Sequence, residues 1–357
     1  MECLEKQSWM NRIEPPDEWI RQRILENWDK VAKPIDGMGR FEKLTAQIGA
    51  IQGTERVEIS KKAVIIMCAD NGIVEEGISQ SGQEVTRIVA ENMGRGQSSV
   101  CRMAKLIGAD TIPIDIGINC SSEIEGVWNR KVRMGTRNFK LEPAMTEAEV
   151  IQAIETGIEV VCDCRKRGHK ILGIGEMGIG NTTTSSALAA VLLNCEVSEV
   201  TGRGAGLSDK KLLHKQKIIS DAIERYGLRS TKEMKALQTL GGLDIAGLAG
   251  VCIGGAIYHI PIVLDGVISM VAALVAEKLV PGTKEFLLPS HNGKEPAVKR
   301  LAEVLELEPV IEAEMALGEG TGAVMMFSLL EMVLAVYRES ATFQEIQIEQ
   351  YKRYEQI

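Results

Sequence analysis

The stretch Lys170–Leu193, KILGIGEMGIGNTTTSSALAAVLL, limits the possible folds of this chain more than any other. It reads as a short buried strand, a glycine-dense turn and a helix. Gly173, Gly175, Gly178 and Gly180 permit left-handed backbone angles and close approach of the main chain to a ligand. Asn181, Thr182, Thr183 and Thr184 then offer capping oxygens and hydroxyl donors. The unpaired N–H groups of a helix N-terminus attract anions, so a phosphate is the expected guest. Glu176 is out of character in such a loop. Its carboxylate repels a phosphate unless it faces another part of the ligand, such as a ribose hydroxyl or a cationic ring. The plainer alternative is a strand–turn–helix whose glycines serve packing alone.

Similar units recur on either side. Ala63–Ala69, AVIIMCA, is an apolar run of strand length ended by Asp70-Asn71-Gly72. Continuous hydrophobicity implies burial on both faces, as in a parallel sheet. A helix is predicted from about Glu84, then a strand over Thr111–Ile118 carrying Asp115 near its end. Residues 121–145 read as a long polar connection, followed by a helix over Glu147–Arg167. PIVLDG places Asp265 just past a strand through Leu264, EFLLPSH gives one more strand, and Met315–Ser340 a turn and helix.

Repeated strand, ligand-type loop and helix units predict an α/β fold, a Rossmann-like parallel sheet with flanking helices. Ligand crevices in such sheets lie outside the carboxyl ends of the strands. Asp70, Asp115, Glu176, Asp265 and the glycine loops all fall there. Ahead of the sheet, Pro15-Pro16-Asp17 opens a helix in which Trp19 or Ile20, then Ile24, Trp28 and Val31, recur at helical spacing. Trp9, Trp19 and Trp28 together read as a docking face, and the charged tail reads as helical. The expected organisation is a small helical domain from residues 1–60 with 341–357, and a large α/β catalytic domain over 61–340.

With 357 residues the chain can bury a large core, and 45% apolar with 25% charged residues is the usual balance of a soluble globular protein. A net charge of −8 argues against a general nucleic-acid binder. The eight cysteines and four histidines are scattered without CxxC pairs, so neither a zinc site nor a secreted disulfide framework is expected. Cys162 and Cys164 stand two apart, which does not share a helix face. The N-terminal segment does not resemble a signal peptide, and no apolar run is read as membrane-spanning. These features predict a reduced cytoplasmic protein with no membrane partner and no metal site.

Glu319, in LGEGTG, lies at the mouth of the last long helix, where the dipole favours an anion. That is the form a general base needs, and partial burial against an apolar substrate would raise its basicity. A simple capping role is the alternative. A second glycine cluster, Thr201–Gly206, precedes Lys210, Lys211, Lys215 and Lys217. Lys215, with Arg203, is suited to meet a phosphate, whereas Lys210 and Lys211 read as a solvated face. Gly173, Gly175 and Gly178 also match GxGxxG, with Glu196 some twenty residues on. This keeps a nicotinamide-dependent oxidoreductase open, and a non-catalytic nucleotide sensor would use the same loops.

AKPIDGMGRFEKL, MCADNGIVEEGIS, GEMGIGNTT, GGLDIAGLAG, PIVLDG, PSH and LGEGTGA occur in one order along nearly the whole chain. In this the chain resembles the nicotinate-nucleotide–dimethylbenzimidazole phosphoribosyltransferases of cobalamin biosynthesis. The resemblance implies transfer of phosphoribosyl from nicotinate mononucleotide to 5,6-dimethylbenzimidazole or a related base, giving α-ribazole 5′-phosphate and nicotinate with inversion at the anomeric carbon. It also implies a Rossmann-like domain, a small helical domain built from both chain ends, a homodimer, and a reaction that needs no metal and no cofactor. Glu319 matches the general base and Glu176 a carboxylate at the nucleotide. Gly178, Asn181, Gly204, Ala205 and Lys215 match the phosphate and ribose cradle, and Ser81, Val89 and Leu317 positions around the base. Asn71 stands where many members have histidine, Val89 where some carry glutamine, and HNGKEPAV replaces a serine-containing version. These departures bear on which base is accepted and leave Glu319 untouched.

Overall fold

The computed structural model describes residue 9, residues 13–229 and residues 231–353. Most of the N-terminal segment read as lacking a signal peptide, with Cys3 in it, and the end of the tail lie outside those residues. The elements run α1 (Glu18–Lys30), α2 (Arg40–Gln52), β1 (Lys62–Ala69), α3 (Glu84–Gly94), α4 (Ser99–Leu106), β2 (Asp110–Gly117) and β3 (Trp128–Asn129). They continue with α5 (Glu147–Lys166), β4 (Ile171–Met177), α6 (Asn181–Leu192), α7 (Val197–Val200), α8 (Asp209–Arg225) and α9 (Glu233–Leu240). The last are α10 (Leu243–Tyr258), β5 (Ile262–Val263), α11 (Val267–Leu279), β6 (Leu287–Leu288), α12 (Ala297–Leu305) and α13 (Thr321–Glu339).

All strand pairs are parallel, in the order β3-β2-β1-β4-β5-β6. This is the doubly wound order in which the chain changes direction across the sheet between β1 and β4. β1 is buried at every position because each face meets its own core. Alternation along the strand sends Ile65 and Met67 to one side, with α5, α10 and α11. Val64, Ile66 and Cys68 point to the other, with α1, α3, α4 and α13. On the first side, glycines bring helix backbones together: a Cβ on Gly250 would stand 2.0 Å from the carbonyl oxygen of Ile154.

On the second side the glycines of β4 serve the same purpose. A Cβ on Gly173 would stand 2.7 Å from that of Ala323, and one on Gly175 would stand 2.4 Å from the carbonyl carbon of Glu319. Of the four glycines read as conformational hinges, only Gly180 is left-handed, with φ 95°. Gly173 and Gly175 are strand residues that admit α13 and the loop before it. This removes the dinucleotide reading, which needs its glycines in the turn that opens the helix. Glu196 caps the four-residue α7 and follows no strand.

Several other expectations change. Asp17 caps α1 as read, accepting the Ile20 amide at 3.0 Å. Trp28 and Trp9, however, are buried inside the chain while Trp19 is exposed, so they form no common docking face. Residues 341–353 are not helical. The tail pairs with the end of α1 instead: Thr342 bridges to Val31, the Phe343 amide donates to Lys30 O at 3.0 Å, and Arg353 clasps Asp29 and Asp36. Residues 121–145 contribute the edge strand β3, which the polar reading missed. α13, at 19 residues, does reach membrane-spanning length and apolarity. Its apolarity serves the core, where Ala323, Met326, Phe327 and Leu330 are fully buried.

Candidate active site

A cavity of about 280 Å³ opens beyond the carboxyl ends of β4 and β5. Its walls come from five segments: the end of β4 with the first residues of α6, the Gly204-Ala205 turn, the Asp265–Ser269 segment, and the two stretches around His291–Glu295 and Met315–Glu319.

Glu319 immediately precedes α13, whose N-cap is Gly320. Its backbone is left-handed, with φ 60°, a conformation that side chains other than glycine adopt at some cost. Its Oε2 accepts the Val100 amide, in the first turn of α4, at 3.2 Å. Two helix N-termini therefore present positive potential to this carboxylate. Leu317, two residues earlier, is exposed at the cavity mouth.

Glu176 stands next to this loop: a Cβ on Gly318 would meet its Oε1 at 2.8 Å. It keeps partial contact with the cavity, yet the surrounding protein strips it of water. That desolvation, with Asp244, Asp265 and Glu319 nearby, pushes its pKa up to about 8. Asn181 donates its side-chain amide to Glu176 Oε2. The expectation that Asn181 caps α6 is thereby corrected: the N-cap is Gly180, and no side chain caps that helix. Behind Asn181 lies buried Asp244, raised by burial to about 6, with Asn71 beside it.

Next along the wall is Thr182, whose Oγ1 accepts from Lys215 Nζ at 3.1 Å. Lys215 also donates to Gly202 O at 3.2 Å and is wholly buried, which lowers its pKa to about 8. The Gly204 amide donates to Glu295 Oε1 at 2.9 Å. Thus a backbone amide, a hydroxyl and an ammonium group converge with a carboxylate already placed among them. No group of three or more His, Cys, Asp or Glu suited to a metal ion occurs among the described residues.

The family described as phosphoribosyltransferase matches residues 13–348. Over 337 residues the chain is 43% identical to the nicotinate-nucleotide–dimethylbenzimidazole phosphoribosyltransferase of Acetivibrio thermocellus, covering 94% of this chain and 95% of that one. The protein of the same name from Ruminiclostridium cellulolyticum is 42% identical over 331 residues, 93% of this chain and 94% of that one. A crystal structure of the Thermus thermophilus protein of that name superposes with a TM-score of 0.87 at 32% identity, covering 94% of this chain and 100% of that one. The chain belongs to the nicotinate-nucleotide–dimethylbenzimidazole phosphoribosyltransferase family.

Of the residues singled out for this phosphoribosyltransferase, Glu176, Gly178, Asn181, Gly204, Ala205, Leu317 and Glu319 line the one cavity. Lys215 lies one hydrogen bond behind it, through Thr182. Ser81 and Val89 do not line it. Val89 packs from α3 against the second core. Ser81 sits in a turn joined to the glycine loop by Gln80, which donates to Ala205 O at 3.2 Å. The sequence reading missed Glu295 and Asp244. A carboxylate placed just before Pro296 at the start of α12, and one in the first turn of α10, were the available signals.

Proposed function

We propose that this phosphoribosyltransferase moves the 5-phosphoribosyl group of nicotinate mononucleotide to 5,6-dimethylbenzimidazole or a related base, giving α-ribazole 5′-phosphate and nicotinate. The observation that carries the reading is the order along one cavity wall: Glu319, then Glu176, then Asn181 and Thr182, then the Gly204 cradle. A mononucleotide has the same order of parts, with its reacting ring at one end, ribose between and phosphate at the other.

In this reading Glu319 takes the N–H proton of the acceptor base. The freed ring nitrogen forms a bond to the anomeric carbon from the face opposite the nicotinate, which inverts that centre. The glycosidic bond breaks with its electron pair going to the pyridinium nitrogen, so nicotinate leaves without needing a proton. Glu176, protonated near neutrality, is suited to donate to a ribose oxygen. As positive charge develops on the ribosyl carbon, the same group becomes easier to ionise and can stabilise it. Asn181 holds Glu176, while the Gly178 and Gly204-Ala205 backbones and Lys215 receive the phosphate. Leu317 contacts the base, while Ser81 and Val89, which lie outside the cavity wall, act on its surroundings through the turn beside Gly204-Ala205 and through α3 respectively.

The clasp between the tail and α1 supports reading both chain ends as one small unit, helical in α1 and α2 and not helical in the tail. The seven cysteines among the described residues are buried and form no disulfide, which fits a reducing cytoplasmic setting. A homodimer completes the proposal and is tested by sedimentation. For the reaction itself, the protein is incubated with nicotinate mononucleotide and 5,6-dimethylbenzimidazole and the mixture separated by chromatography. Nicotinate and α-ribazole 5′-phosphate should appear one for one. Tight nucleotide binding with no product from any benzimidazole, purine or phenol would defeat the proposal.

A further inference from the structure

Two side chains tie the loop that carries Glu319: Thr321 Oγ1 donates to Gly318 O at 2.9 Å, and the Glu319 carboxylate accepts the Val100 amide at 3.2 Å. Gly318 and Gly320 flank the glutamate, all three residues are left-handed, and Gly320 offers no capping side chain to α13. Two left-handed glycines leave a free loop many alternatives, and a left-handed glutamate is disfavoured among them. Neither side-chain contact takes the amides of Gly320 and Gly322, which fix the main chain directly after Glu319.

Asp265 takes both from the sheet. It follows β5 closely, and its side chain is buried. Its Oδ2 accepts the Gly320 amide at 3.1 Å and its Oδ1 the Gly322 amide at 2.7 Å. Each carboxylate oxygen thus takes an N–H group that a helix N-terminus would otherwise leave unpaired. Burial raises the pKa of Asp265, while these amides and the neighbouring His291 oppose the rise. Ser290 steadies the same corner by donating to the Asp265 carbonyl at 3.2 Å. On the other side, Gly175 leaves room for the Glu319 main chain.

We propose that Asp265 is a positioning residue for the transfer reaction, fixing the left-handed backbone of Glu319 through the Gly320 and Gly322 amides. The point where the Glu319 carboxylate meets the acceptor base is thereby set from β5. This rests on the reading of Glu319 as general base. Although Asp265 borders the cavity, each of its carboxylate oxygens is taken by a main-chain donor, so its role is assigned through the loop.

The test is Asp265→Asn, alone and combined with Glu319→Gln. The asparagine can accept one of the two amides and turns an N–H group toward the other. The expected result is a kcat lower by about tenfold to hundredfold, the cost of a misplaced catalytic group, with the KM for nicotinate mononucleotide little changed. In the double variant kcat should fall no further than in Glu319→Gln alone, since both changes disable one device. An unchanged kcat in Asp265→Asn, or losses that multiply in the double variant, would overturn the proposal. If Asp265→Asn does not fold, amide hydrogen exchange of the unmodified protein decides. Gly320 and Gly322 should be as protected as the interior of α13, and rapid exchange at both would overturn the inference. A fully active Glu319→Gln enzyme would remove the general-base reading itself, an outcome distinct from either of these.

Discussion

Glu295 donates no proton to the cradle but fills it: its Oε1 accepts the Gly204 amide at 2.9 Å. Its other oxygen lies so close to Gly202 that a Cβ there would meet it at 1.9 Å. The same carboxylate supports the charge of Lys215 against the burial that lowers it. The chain thus presents its own anion to the amide and ammonium groups that suit a phosphate. An incoming phosphate competes with Glu295 for them and meets its negative charge.

Replacing that charge should strengthen nucleotide binding. Glu295→Gln keeps an acceptor for the Gly204 amide while removing repulsion worth about 1 kcal/mol between unit charges near 4 Å in water. Affinity for nicotinate mononucleotide, measured by titration calorimetry, should rise about fivefold. Unchanged or weaker binding would mean that Glu295 orients the ligand and does not compete with it.

Lys215 predicts the opposite effect and adds a pH dependence. Lys215→Ala removes a charge-assisted hydrogen bond of about 1.5–3 kcal/mol, so nucleotide affinity should weaken by about tenfold to hundredfold. Saturating substrate should restore most of kcat. Because the buried ammonium loses its proton near pH 8, well below the ordinary lysine value, affinity in the unmodified protein should decline as pH rises through that region. An affinity flat from pH 7 to 9 would place Lys215 outside phosphate recognition.

For Glu319, the variant Glu319→Gln retains an oxygen to accept the Val100 amide, so the loop and the α4 cap should survive. Loss of proton abstraction should lower kcat by about a hundredfold to ten-thousandfold, with nicotinate mononucleotide binding intact. The loss should shrink with acceptors whose N–H or O–H proton is more acidic, since these need less help from a base. An equal loss across acceptors of graded acidity would assign Glu319 a role other than proton abstraction.

What could be read in the sequence depended on how far apart the interacting residues lie. β1 was legible because apolar residues on both faces of one strand announce a buried parallel sheet. Glu319 was legible from its glycine neighbours. Gly173 and Gly175 were misread because the partner that needs their missing side chains is α13, far along the chain. Lys215 shares a helix with exposed Lys210 and Lys211, and only the packing of α8 against α6 distinguishes it. The tail failed for the same reason: its charged sequence permits a helix, but its pairing with the end of α1 determines its form. Of the acidic cluster, Glu176 and Asp265 were visible only as separate strand-end acids, and Asp244 was missed because nothing in its helix-start position marks it as buried beside them.

That cluster makes stability depend on pH in a direction opposite to ordinary acid denaturation. Glu176 titrates near 8 in the folded protein against an ordinary 4.5, chiefly because burial and neighbouring carboxylates penalise its anion. Below about pH 4.5 both folded and unfolded chains hold this proton, and the contribution is fully present. Between 4.5 and 8 the unfolded chain releases the proton while the folded chain keeps it, so stability falls as pH rises. Asp244, raised to about 6, adds a smaller loss of the same sign at lower pH. Glu176→Gln is neutral at every pH and removes only the first effect. Thermal melts from pH 5 to 9 should therefore show the two proteins nearly equal at pH 5. The variant should become progressively the more stable as pH approaches 8. Parallel melting curves across that range would show that Glu176 ionises freely in the folded protein, and would restore to it the role of a permanent anion facing the pyridinium ring.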